Sequence, residues 1–168
     1  MQPNEIYQET IPFPIGRVVV VIMVGITALF LFLSIYQLTS SPVGDRPAPD
    51  WFYLVMMAVF AGVTVLTANF TRLTISMTPD AITVAYGRFK YTIPWYKIAG
   101  CYLDKNPGIA YGGWGIRITK VKGKWLLVYN VIGSPRVILE LKSGRFGQFA
   151  FSTKHPDEVL NIVKQQIG

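Results

Sequence analysis

The side chains with the widest chemical repertoire are few and scattered in this chain of 168 residues, which has one histidine and one cysteine. His155 stands beside Pro156 at the start of a helical pattern, where a capping or solvent-facing role suits it better than proton transfer. Cys101 lies in an apolar run with no base near it in sequence, which reads as a buried structural thiol. Glu140 and Asp104 read as isolated, Asp157 and Glu158 serve a helix terminus, and Asp80 belongs to a turn. No carboxylate pair suggests acid–base work, no cluster has metal-ligand spacing, and a lone cysteine excludes an internal disulfide. The expectation is a protein that is not an enzyme and needs no cofactor or metal.

Two stretches have the chemistry of recognition instead. In Ala110–Ile118, AYGGWGIRI, three glycines surround Trp114 and Arg117 follows. Gly112, Gly113 and Gly115 do not have the dinucleotide-binding spacing, and a strand pattern follows them where that motif needs a helix. The glycines allow a sharp bend. Trp114 then either folds back over the bend or joins Tyr111 on an exposed lip, a half-wet position that suits a lipid interface or a partner. The second stretch is Lys120–Lys124, KVKGK. Residues two apart in a strand share a face, so Lys120, Lys122 and Lys124 could form one cationic edge, with Gly123 turning the chain against that geometry. Arg88 and Lys90, in the Tyr86–Tyr91 hairpin, could add to it. The competing reading of these cations is a solvated surface. Lysines beside an anionic leaflet gain about 1 kcal/mol each.

The elements that must position these residues divide into two kinds. The chain is 51% hydrophobic and 15% charged, where soluble domains carry roughly a quarter charged residues. The apolar residues are bunched. Val18–Leu38 and Trp51–Phe70 hold no formal charge, and at about 1.5 Å per residue the first covers about 31 Å, the thickness of a hydrocarbon core. A leader containing Glu5 and Glu9, with no small-residue cleavage pattern, argues against a removable signal. Thr39–Asp50 is short and rich in Pro, Gly and Ser, so the two helices should form an antiparallel hairpin. Within it Gly25, Ala58 and Gly62 are candidates for close helix packing.

Fourteen of the sixteen lysines and arginines lie in residues 71–168, against five of the nine acids. Arg46 alone lies in the turn, while Arg17 and Arg72 flank the helices. This asymmetry places both termini in the cytoplasm and the turn outside an inner membrane. The basic balance (pI 9.6) is explained by topology, and no nucleic-acid motif accompanies it.

Beyond Arg72 the pattern alternates. Leu73–Thr78, Ala81–Tyr86, Phe89–Ile93, Ile98–Leu103, Gly115–Thr119, Trp125–Tyr129, Val137–Leu141 and Phe146–Ser152 read as strands separated by turn signals. The tail from Pro156 puts Val159, Leu160, Val163 and Ile167 on one helical face.

The runs Ile82–Gly100 (ITVAYGRFKYTIPWYKIAG), Tyr111–Arg117 (YGGWGIR) and Val137–Val163 (VILELKSGRFGQFAFSTKHPDEVLNIV) together resemble the bacterial pleckstrin-homology-like domains attached to membrane hairpins. The resemblance covers roughly residues 70–168. It implies an antiparallel barrel or sandwich of about seven strands closed by a C-terminal helix, and domains that associate with one another. The chain lacks the dense basic loop of inositide-selective members, which argues against a specific inositide ligand. The expected organisation is a cytoplasmic N-terminal segment (1–16), a first transmembrane helix (17–38), an extracytoplasmic turn (39–50), a second transmembrane helix (51–70) and a cytoplasmic pleckstrin-homology-like domain (71–168). The expected role is a non-enzymatic accessory subunit, scaffold or assembly factor of a membrane complex. The alternative is a sensor of inner-leaflet lipid. The partners would be the bilayer, other membrane subunits or further copies of the chain, and not nucleic acid.

Overall fold

The structure is a computed structural model that describes residues 5–40, 44, 48–106, 111–121 and 123–168. The chain divides into two compact units, one formed by Pro14–Thr71 and the other by the segment up to Phe13 together with Arg72–Gly168.

The Pro14–Thr71 unit is an antiparallel pair of helices, α1 (Pro14–Thr39) and α2 (Asp50–Ala68). Pro14 at the first helical position costs no hydrogen bond, since its amide would be unpaired there. Met23, Ile26, Phe30, Leu33 and Gln37 on α1, and Tyr53, Met56, Phe60 and Thr64 on α2, recur at helical spacing and turn away from solvent. Phe30 stacks on Phe60 at 5.4 Å, and the Gln37 amide donates to the Ala48 carbonyl (2.8 Å) and the Asp50 carboxylate (2.6 Å), closing the end near the turn. Ser34 is buried and donates to the Phe30 carbonyl. Most of the remaining surface of these helices is apolar and exposed; only 6% of the most apolar window of each is buried. Both helices are long and apolar enough to cross a membrane. Gly25, Ala58 and Gly62 do not serve the seam. All three are exposed, and a methyl group built on either glycine meets nothing within 4 Å. The larger Phe30 and Phe60 occupy the contact.

The other unit has nine strands among the described residues, the eight that the alternating pattern predicts and one more, where the family resemblance implies about seven. The addition is β1 (Tyr7–Pro12), which precedes the helices. It pairs antiparallel with β2 (Arg72–Met77), which follows them, in the register Glu9↔Ile75 and Ile11↔Leu73. Strands β3 (Ala81–Tyr86) and β4 (Phe89–Pro94) complete a sheet of order β1-β2-β3-β4. A two-residue turn joins β3 to β4, with Gly87 at φ 52°, a conformation that suits this tight reversal. The second sheet holds β5 (Ile98–Asp104), β6 (Gly115–Val121), β7 (Lys124–Asn130), β8 (Arg136–Leu141) and β9 (Gln148–Ser152), in the order β5-β8-β9-β7-β6. Its pairs are antiparallel except β7 with β9.

Alternating residues of the two sheets meet in an aromatic core. Tyr86 stacks on Tyr129 at 5.9 Å, and Tyr91 contacts Phe149 at 5.1 Å. The Tyr86 hydroxyl donates to the Asn130 carbonyl (2.6 Å), so burial of this phenol leaves no orphan polar atom. Helix α3 (Pro156–Ile167) packs on β5 and β8 and sinks Val159 and Val163 completely.

β1 is fastened at a second place. The Glu9 carboxylate, 8% exposed, accepts from the Thr153 hydroxyl (2.6 Å), the Lys154 amide (2.7 Å) and the Tyr7 hydroxyl (2.9 Å). A buried carboxylate is tolerated only when so satisfied. The N-terminal strand is thereby tied to the entry of the last helix.

Candidate interaction surface

The segment between β5 and β6, which carries the glycine–tryptophan motif, is organised by one buried arginine. Arg136 Nε donates to Asp104 Oδ2 at 2.8 Å, with the two side chains only 3% and 1% exposed. Its Nη1 donates to Asn130 Oδ1 (3.2 Å) and its Nη2 to the Asn106 carbonyl. The remaining Asp104 oxygen accepts from the backbone and side-chain amides of Asn106, both at 2.9 Å. Asn106 also donates to the Tyr111 hydroxyl (2.9 Å), the guanidinium lies 5.0 Å from the Tyr111 ring centroid, and Asn130 donates to the Gly113 carbonyl. Asp104, which reads as isolated in sequence, is therefore the counter-ion of a knot that nails three positions of this segment to the sheet. Burial, with the Asp104 charge adding to it, pushes the Tyr111 phenol above its usual range.

Gly112, Gly113 and Gly115 have φ of 80°, 91° and 102°, values that a side chain would make costly. The bend they allow brings Trp114 against Phe13, with ring centroids 4.7 Å apart. Tyr111 is buried among Leu126, Val128, Ile138 and Ala150, and Trp114 is half-buried. These two residues do not form an exposed lip; the polar knot and the N-terminal segment hold them down.

An exposed aromatic surface lies further on, on the β6–β7 hairpin. β6 is an edge strand. Ile118 is 52% exposed and Trp125 49%, and Lys120 sits over the Trp125 ring at 5.4 Å from its centroid. The register pairs Lys120 with Trp125 and Val121 with Lys124, which puts Lys120 and Lys124 on opposite faces. The single cationic edge expected from the spacing is not formed by these two, because the chain reverses between them. Lys122 lies outside the described residues, as does Arg46. Arg88 and Lys90 are exposed at the β3–β4 hairpin, in the other sheet, and Arg117 is exposed on β6.

The chain matches no family model, no curated protein and no solved structure.

His155 is exposed at the N-cap of α3, and its backbone amide donates to Thr153 Oγ1 (3.1 Å). Cys101 is half-buried, with Sγ 3.8 Å from the Leu160 carbonyl; burial raises its pKa and keeps it a thiol. Among the described residues no three His, Cys, Asp or Glu side chains are grouped to hold a metal ion. Sequence reasoning passed over Trp125 and Ile118 because they alternate like any strand residues. The signal available was an aromatic residue, Trp125, one place after the Lys124 that opens β7.

Proposed function

We propose that this chain is a two-span protein of the inner membrane whose cytoplasmic β-domain is a non-enzymatic interaction module, serving as an accessory subunit, scaffold or assembly factor of a larger membrane complex. The lipid-compatible exterior of the α1–α2 pair supports the anchor, because a soluble core helix would bury such a surface. The placement of lysine and arginine supports the cytoplasmic side. Two packed sheets with a C-terminal helix suit the pleckstrin-homology-like resemblance, from which β1 and the parallel β7–β9 contact depart.

The observation that carries the interaction role is the edge strand β6 with Ile118 and Trp125 open to solvent. Unpaired strand edges with exposed apolar side chains are what natural sheets normally blunt, unless something is meant to dock there. Extraction in mild detergent should yield the chain in a defined assembly, and the double variant Ile118→Lys/Trp125→Ser should weaken that assembly at least about tenfold. A free monomer, or an assembly indifferent to both substitutions, removes the reading.

The alternative, recognition of inner-leaflet lipid, is favoured by the Lys120–Trp125 pair, since a cation beside a half-exposed indole suits a bilayer surface. Nanodiscs with and without anionic lipid discriminate: only this alternative predicts that Trp125 emission depends on the lipid charge.

A further inference from the structure

On the face of the five-stranded sheet turned away from the aromatic core, register sets side chains in rows across the strands. One row runs Asp104, Arg136, Ser152 and contains the polar knot. The next runs Tyr102, Ile138, Ala150, Val128, and the third Glu140, Gln148, Leu126. Over these last two rows lies a groove of about 690 Å³, within the usual range of ligand sites. Half-buried Val121 and exposed Tyr102 and Leu103 give it an apolar lining, with Leu126 and Ile138 buried beneath.

Its polar groups are the unusual part. Half-buried Glu140 and exposed Lys124 both line the groove, and neither side chain has a hydrogen bond or ion pair with a described residue. Asp104, lining the same groove, is by contrast neutralised by Arg136. Tyr102 accepts from Gln148 at 2.9 Å, which leaves the phenolic hydrogen and Gln148 Oε1 available to a ligand. Strands β8 and β7 flank β9, so the two strands that carry these charges run about 10 Å apart, with Lys124 two residues along β7 from Leu126, the residue level with Glu140. The Lys124 stem packs over Gly147, where a methyl group would come within 3.1 Å of it, so the ammonium is presented from a supported chain.

A purely anionic ligand would meet Glu140, and a purely cationic one would meet Lys124. A dipolar ligand satisfies both. We propose that the groove binds a zwitterionic amphiphile, its ammonium group against Glu140, its phosphate or carboxylate against Lys124, and its apolar body on Val121 and the Tyr102 ring. This chemistry is found in the ethanolamine phospholipids of a bilayer and in soluble zwitterions. The inference rests on the groove alone and does not require the edge strand to dock a partner.

Native mass spectrometry of the full chain in detergent, with phosphatidylethanolamine and phosphatidylglycerol in competition, tests it. One phosphatidylethanolamine should bind per chain, at least about tenfold more tightly than phosphatidylglycerol. Glu140→Gln and Lys124→Met should each weaken it about tenfold, while Lys90→Met in the other sheet should not. An unchanged thermal midpoint without lipid shows that the variants are folded. If phosphatidylethanolamine fails to bind but O-phosphoethanolamine raises the midpoint of the wild type and not of Glu140→Gln, the source is soluble and the site stands. Preference for phosphatidylglycerol, indifference to Glu140→Gln, or no response to either probe overturns the proposal.

Discussion

At the scale of single residues, the β-domain is held by several buried polar groups that bond to one another. Asp104 and Arg136 are the clearest case. Asp104→Asn should destabilise the domain by about 3–5 kcal/mol, because the guanidinium stays buried without its counter-ion. Adding Arg136→Met should recover part of that loss, as an apolar replacement for the whole pair does elsewhere. Chemical denaturation followed by tryptophan emission measures both; a single variant as stable as the wild type would show that water reaches the pair. The phenols give a second test. Burial raises the pKa of Tyr86 above the ordinary 10.0, so the folded chain keeps a proton that the unfolded chain releases. Its contribution to stability is therefore complete below about pH 10 and declines as pH rises above it. Tyr91, Tyr102 and Tyr129 shift the same way for the same first cause. Thermal midpoints should fall between about pH 9 and 11, and Tyr86→Phe should flatten that fall while lowering the midpoint at neutral pH through loss of the bond to Asn130.

At the scale of elements, what was legible in the sequence followed from periodicity. All eight strands after the helices, and α3, lie within about two residues of where alternation and turn signals put them, because these segments bury one face against a local neighbour. β1 was illegible for a physical reason. Its inward positions are Tyr7, Glu9 and Ile11, and a carboxylate at a buried position breaks the apolar alternation. Only the partners at Thr153 and Lys154, more than 140 residues away, make that glutamate affordable, and no local pattern announces them. Arg136, Asp104 and Asn130 were hidden likewise, since each looks ordinary until the register brings them together. The consequence is a prediction about fragments. Residues 72–168 alone should aggregate or unfold readily, with β2 left as a bare edge and two donors unsatisfied. Fusing residues 5–13 ahead of Arg72 through a flexible linker should restore a cooperative transition. In the full chain Glu9→Ala should cost about 1–3 kcal/mol, the price of orphaned buried donors. A well-behaved 72–168 fragment with an unchanged melting point would show that β1 is ornamental.

At the scale of the whole molecule, β1 converts a pattern of charges into a constraint on topology. The strand before α1 and the strand after α2 are neighbours in one sheet, so both flanks of the helical pair must lie in the same compartment. A chain that crosses a bilayer once, or three times, between those strands could not make the six register pairs from Tyr7↔Met77 to Pro12↔Arg72. The lysine and arginine count supports the proposed compartment, whereas the sheet requires only that it be shared, and the two arguments are independent. Single reporter cysteines in a Cys101→Ser background separate them. Cysteines replacing Gln8 and Lys154 should be labelled from the same side of intact cells or spheroplasts as each other, and a cysteine replacing Gly44 from the opposite side. Labelling of positions 8 and 154 from opposite sides would break the sheet and with it the anchor. Labelling of both from outside would keep the sheet and reverse the orientation, and would move β6 and its exposed indole out of the cytoplasm.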